Sequence, residues 1–144
     1  MVKRIDPAAR KRRAEAGTSI VEATIVLPLM LLLVFSIAEF GISFTRWNSL
    51  TNAVREGARE GVVFRATCDG PTIQNLVTTT VSDFADSSGI DPADITTTVT
   101  GACLGTGTQL VVTSTVPYNY VALSALAGLA PSTQLRARSV MRNE

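Results

Sequence analysis

Residues 23–38 read ATIVLPLMLLLVFSIA, sixteen positions without a charge. As a helix rising ~1.5 Å per residue they extend ~24 Å. A bilayer's hydrocarbon core is ~30 Å thick. Taken from Ile20 to Phe44 the segment has 25 residues, enough to cross with some tilt. Glu22 and Glu39 bracket the uncharged run, 17 positions apart, or ~25 Å along a helix axis. Each carboxylate then falls near a headgroup region and away from the costly midplane. A transmembrane helix over residues 18–44 is expected, with a leader before it and a domain placed by it at 45–144.

The net charge of +1 hides an asymmetry. Residues 1–17 hold Lys3, Arg4, Arg10, Lys11, Arg12 and Arg13 against Asp6 and Glu15, a net +4; the rest of the chain carries −3. Positive charge flanking a single span is retained on the cytoplasmic side. The expected topology is a single-pass protein of the cytoplasmic (inner) membrane, with residues 1–17 cytoplasmic and the C-terminal domain extracytoplasmic. The basic run abuts the span and has no interleaved aromatics, so it is read as an orientation signal rather than a nucleic-acid site. Residues 1–16, with Pro7 and little apolar content, read as disordered or as a leader.

The chain has no histidine, which removes the commonest general base and metal ligand. Its two cysteines, Cys68 and Cys103, both fall on the expected outer side, where an oxidising compartment permits a disulfide. Two buried thiols are the alternative. The disulfide is the expectation, and the loop-entropy relation gives it ~3.5–4 kcal/mol for a loop of about 35 residues.

Past the span the apolar period continues. Leu50, Ala53, Val54, Gly57, Ala58, Gly61 and Val62 form an i, i+3, i+4, i+7 stripe, with Arg55, Glu56, Arg59 and Glu60 on the other side. One helix of roughly 45 residues, from Thr18 to about Phe64, is expected from this periodicity. Trp47 lies just outside the span, where an aromatic anchor at the membrane interface would sit. Gly57 and Gly61 form a G-x-x-x-G step that admits a close neighbour; a sheet packed there is favoured over a bend.

Asp69 and Pro71 then mark a helix start, and Ile73, Leu76, Val77, Val81 and Phe84 recur at helical spacing to about Asp86. Residues 87–94 read as a turn. The period then becomes two: residues 95–100, 109–116 and 134–141 read as half-buried strands, with 101–107 as a hairpin connection. Val121 to Leu129 reads as a small apolar connection. The expected fold class is α+β: a long N-terminal transmembrane helix, a second helix and a three-stranded antiparallel sheet.

Few residues offer chemistry. Serines and threonines are numerous but have no histidine to activate them, and there is no G-x-S-x-G, P-loop or dinucleotide fingerprint. Glu56 and Glu60 read as solvated charges. Asp83, Asp86, Asp91 and Asp94 cluster about a turn but lack the order of a calcium loop. No enzyme, cofactor or metal is expected.

The informative constellation is Gly17-Thr18-Ser19-Ile20-Val21-Glu22. A basic leader ends in glycine, four uncharged residues follow, then a glutamate and an apolar helix. This resembles the class III signal of type IV prepilins and pseudopilins, cut after the glycine by a prepilin peptidase. The wider run VEATIVLPLMLLLVFSIAEFG, then TNAVREGAREGV, resembles TadE-like proteins, minor pseudopilins of the tight-adherence (Flp, type IVb) pilus system. The likeness covers residues 17–63 and, more weakly, the final strand to Glu144; the middle, with both cysteines, is unmatched. Ala23 stands where major pilins of that system typically have tyrosine, which points to a minor subunit. The resemblance implies a processing site at Gly17–Thr18 and a role in pilus biogenesis, adhesion or secretion. The implied partners are the prepilin peptidase, other pilins or pseudopilins, the inner-membrane assembly platform and the lipid bilayer. Glu22 is expected to set assembly register by meeting a neighbour's new terminal amine. The competing account makes it the fourth member of a capping box opened by Ser19, or a carboxylate simply solvated at the membrane interface. Two other readings are a permanent single-span binding protein and an exported soluble protein cut near Ser36-Ile37-Ala38.

Overall fold

The computed structural model describes the backbone of residues 7–63, 68–121, 124 and 132–143, with side chains from Gly17 onward. Residues 1–6, the inferred Phe64 helix end and most of the apolar connection after Val121 lie outside the described residues. Helix α1 spans Pro7–Val62 and α2 spans Gly70–Asp86. A 3-10 turn at Pro92–Asp94 precedes strands β1 (Thr96–Thr100), β2 (Gln109–Asn119) and β3 (Ser132–Arg142). The sheet is antiparallel in the order β1-β2-β3. Both helices lie on its inner face, so the α+β class holds.

The first turn of α1 corrects two expectations. The helix begins at Pro7, a residue suited to a first turn because it has no N–H to leave unpaired. Residues 7–16 are therefore helical rather than disordered. Ser19 sits three turns inside α1 and caps nothing in the full chain, which removes the capping-box account of Glu22 there. The helix also runs unbroken through Pro28.

The second half of α1 is the spine of the domain. Leu50, Ala53, Val54 and Ala58 join Ile73, Val77, Val81 and Ala85 of α2, and Leu110, Val112, Val116 and Ala137 of the sheet, in one buried core. Leu135, Met141, Val99 and Ile95 pack against it half-buried. The two glycines of the step determine which surfaces meet. A Cβ on Gly57 would stand 2.5 Å from Val81 Cγ2 and 3.2 Å from the Val77 carbonyl oxygen. One on Gly61 would stand 2.7 Å from both Leu110 Cδ2 and Val77 Cγ2. The close neighbour is thus chiefly α2, joined at Gly61 by β2, rather than the sheet alone. This close approach selects the 73-77-81-85 row of α2. Leu76 is only half-buried and Phe84 is exposed, because both fall beside that row.

Local chemistry frames the domain. The Asp69 carboxylate accepts from Thr72 N at 3.2 Å and Thr72 Oγ1 at 2.6 Å, starting α2. After α2 the Ile90 amide donates to Ala85 O at 3.0 Å, with Gly89 at φ +77°. That left-handed residue reverses the chain and drops Ile90 into the core. Cys68 and Cys103 are joined in a disulfide with Cα atoms 5.6 Å apart, tying the start of α2 to the β1–β2 connection. Strand β2 runs on to Asn119 through Pro117. Its last pairing with β1 is Thr96 with Thr115, so Pro117 lacks its N–H where one flank of β2 is already free.

The glycine contacts yield a stability test. Gly57→Ala and Gly61→Ala each gain ~1 kcal/mol of helix propensity but force overpacking that typically costs ~1–3 kcal/mol. Both are expected to lower the denaturation midpoint of the domain, followed by near-UV circular dichroism in detergent. Gly41→Ala meets nothing within 4 Å and is expected to leave the midpoint unchanged or raise it. Stabilisation by all three would mean that α2 does not pack this closely.

Candidate assembly and membrane-junction site

The first half of α1 presents an exposed apolar surface. Ile20, Val21, Ile25, Val26, Leu27, Leu29, Met30, Leu33, Phe35 and Ile37 are all exposed. Among the described residues this is the one helix long and apolar enough to cross a membrane, and none of its most apolar window is buried. Its hydroxyls bond within the helix: Thr24 Oγ1 donates to Ile20 O and Ser36 Oγ to Leu32 O, both at 2.7 Å. Such back-bonding satisfies a polar group without a neighbour.

Gly17, Thr18 and Glu22 lie at the start of this surface. A Cβ on Gly17 would meet nothing within 4 Å, so packing inside this chain does not demand glycine there. Glu22 is exposed on the same cylinder as Ile25 and Val26. It is the one charged residue between Thr18 and Ala38.

Glu39 and Trp47, read from sequence as membrane-interface residues, are both engaged by the domain. Glu39 is only 8% exposed, and its main-chain carbonyl accepts from the Tyr118 hydroxyl at 3.5 Å, the outer limit of a hydrogen bond. Tyr118 ends the inner face of β2. The Arg46 guanidinium lies over its ring, 5.5 Å from the centroid, and Tyr120 meets its ring edge-on at 5.0 Å. Burial raises the Tyr118 pKa, the Glu39 carboxylate adds to that, and Arg46 opposes it. Trp47 Nε1 donates to Arg136 O of β3 at 3.1 Å, and its ring stands 5.9 Å from Phe44. These contacts fasten one end of the sheet to α1 at residues 39–47, directly above the exposed apolar surface.

At the opposite end Asn143 holds the hairpin. Its side-chain amide donates to Gly101 O at 2.9 Å and Thr108 Oγ1 at 2.8 Å. Its backbone accepts from Gly107 N and donates to Thr108 O. Tyr118 and Asn143 were not singled out by sequence reasoning. For Tyr118 the available signal was the Pro-Tyr-Asn-Tyr run directly after a strand.

The remaining candidates do not converge. Among the described residues no three of Asp, Glu or Cys stand together as a metal site, and Asp91 uses a carboxylate oxygen to accept from Ala93 N at 2.9 Å. Glu56 lies on the exposed face of α1, 4.0 Å from Arg59 Nη1.

The segment joining the unpartnered helix to the core decides the relationship. Residues 17–59 match the TadE-like protein family. No curated protein and no solved structure matches the chain. The TadE-like segment runs from Gly17 to Arg59, so it takes in the processing-type signal, the whole exposed span and the helix spine up to the close approach at Gly57. TadE-like proteins are associated with the tight-adherence pilus. The sheet and the disulfide lie outside the matched residues.

The junction carries a pH signature. With the folded pKa of Tyr118 raised, the stability supplied by its neutral phenol is complete below the ordinary tyrosine range. It is lost as pH rises through the folded value. Tyr118→Phe, which has no proton to lose, is expected to show a shallower fall in domain stability at alkaline pH by denaturant titration. Identical alkaline profiles would mean that Tyr118 is not buried at this junction.

Proposed function

We propose that this chain is a minor pseudopilin of a tight-adherence (Flp, type IVb) pilus machine. In this reading a prepilin peptidase cuts after Gly17 at the cytoplasmic face of the inner membrane. The mature subunit keeps its span and displays the domain outside. It then enters the pilus or its initiating complex through the exposed surface of α1.

The observation that carries the reading is the bare apolar half of α1 with Glu22 as its one charge. Apolar surface of this extent must be covered by lipid or by other helices. A carboxylate just inside hydrocarbon is costly alone. A free amine on Thr18 of an axially staggered neighbour would neutralise it, so packing of the apolar surfaces and pairing of the charges favour one register. Gly17 suits the cut for a conformational reason. The scissile bond lies within a continuous helix, and a protease needs the chain extended. Glycine weakens the helix by ~1 kcal/mol relative to alanine, which makes position 17 the easiest place to unwind.

The test separates cutting from assembly. Gly17→Leu is expected to leave an unshortened chain in the membrane. Glu22→Gln is expected to be shortened normally yet lost from the assembled fraction, and Glu22→Asp to keep part of its incorporation. In the shortened chain Ser19 again lies at the helix start, but a capping box accepts Gln as readily as Glu, so the substitution tests charge alone. Normal incorporation of Glu22→Gln would defeat the charge-register mechanism. An unshortened, unassembled wild-type chain in the membrane would favour a permanent anchor.

A further inference from the structure

The outward face of the sheet carries a column of positive charge. Arg136, Arg138 and Arg142 alternate along β3 with inward residues and are all exposed. Among the described residues no carboxylate lies within 4.0 Å of any of the three, and the one ion pair is Arg59 with Glu56 on α1. Thr113 and Thr115 of β2 face Arg138 and Arg136 across the ladder, and Thr98 and Thr96 of β1 continue the same rows. The face is therefore polar and hydrogen-bonding as well as cationic.

The complementary charge is at another corner of the same domain. Asp83 and Asp86 end α2, Asp91 and Asp94 flank the 3-10 turn, and all four are exposed. This corner leads into β1, the edge strand opposite β3. Two contacts put both charges at one height on α1. Trp47 bonds the carbonyl of Arg136, while Ser88 and Gly89 border an open groove against Gly41, Ile42, Thr45 and Arg46. Chains standing parallel in one membrane would thus present arginines on one flank and carboxylates on another at the same level above the lipid.

We propose that copies of this chain dock side by side, the Arg136–Arg138 face of one against the Asp86–Asp94 corner of the next. Unlike patches meet, so the contact is heterologous and repeats along a row instead of closing as a two-fold dimer. Complementary charge steers the encounter and fixes register, and it repels the like-to-like pairing of two arginine faces. The contact goes beyond the proposed function and does not depend on processing.

The full-length protein in neutral lipid vesicles provides the test. Ala93→Cys chains and Gln134→Cys chains are treated with a short bis-maleimide, separately and mixed. Both positions are exposed and neither residue is charged. Cross-linked dimers are expected only in the mixture. Arg136→Glu with Arg138→Glu in the Gln134→Cys chain should lower their yield about tenfold, a shift of ~1.4 kcal/mol. Asp86→Arg with Asp94→Arg in the Ala93→Cys chain should restore it, and that recovery also shows both variants folded. Arg138→Gln alone should give an intermediate loss, and high salt should lower the yield of the unsubstituted pair and narrow its difference from this variant, because the screening length falls to ~3 Å at 1 M. Equal cross-linking in the unmixed samples would overturn the proposal in favour of a two-fold contact. So would indifference to the charge reversals. So would protection of the arginine face by dextran sulfate with no cross-link between copies, which would assign the face to an anionic polymer.

Discussion

The architecture depends on how closely α2 and β2 approach α1 at Gly57 and Gly61. With no side chain at either position, Val77, Val81 and Leu110 reach the helix surface directly. That approach sets which row of α2 points inward and where the sheet lies across the pair. The disulfide between Cys68 and Cys103 and the Asn143 clasp on the hairpin lie at the same end of the domain. The core is built on the second half of α1, and the first half is exposed.

That division gives one helix two environments. One face of residues 50–61 is packed into the core, and residues 20–37 are exposed apart from the half-buried Leu32 and Ser36. The junction between them is more tightly made than an interfacial helix segment requires. Glu39 is covered, Tyr118 bonds its carbonyl, Arg46 lies over the ring, and Trp47 holds the free edge of β3. A domain fastened in this way transmits the orientation of its helix. In the proposed assembly, register chosen among helices inside the membrane would become a fixed arrangement of domains outside it. The arginine face and the acidic corner would then meet neighbours in a defined orientation.

Much of this was legible from periodicity. The stripe from Leu50 to Gly61, the Asp69 cap, and the alternation of the three strands depend on local pattern, and each is in place. The disulfide followed from the cysteine count and the expected compartment. What local pattern does not carry is which neighbour wins a contested face. Phe84 scores as core by spacing, yet Ala85 takes the place because the buried row of α2 is Ile73, Val77, Val81 and Ala85. Pro117 suggests the end of a strand, but β2 continues because its partner on that flank has already stopped. Ser19 and Glu22 have capping spacing, but a helix that begins at Pro7 makes that spacing incidental. Glu39 and Trp47 fit an interface by position, while the sheet that engages them folds back from about 80 to 90 residues later in the chain.

The central claim is that the bare helix belongs to a subunit cut after Gly17. The most direct measurement is the N-terminal residue, with the intact mass, of the protein purified from its own membrane. The account predicts a chain of 127 residues beginning at Thr18 with a free amine, and with Cys68 and Cys103 still joined. A chain that retains residues 1–17 would contradict it. So would a soluble product beginning near Glu39, which would make the apolar run a secretory signal and leave Glu22 no part in assembly.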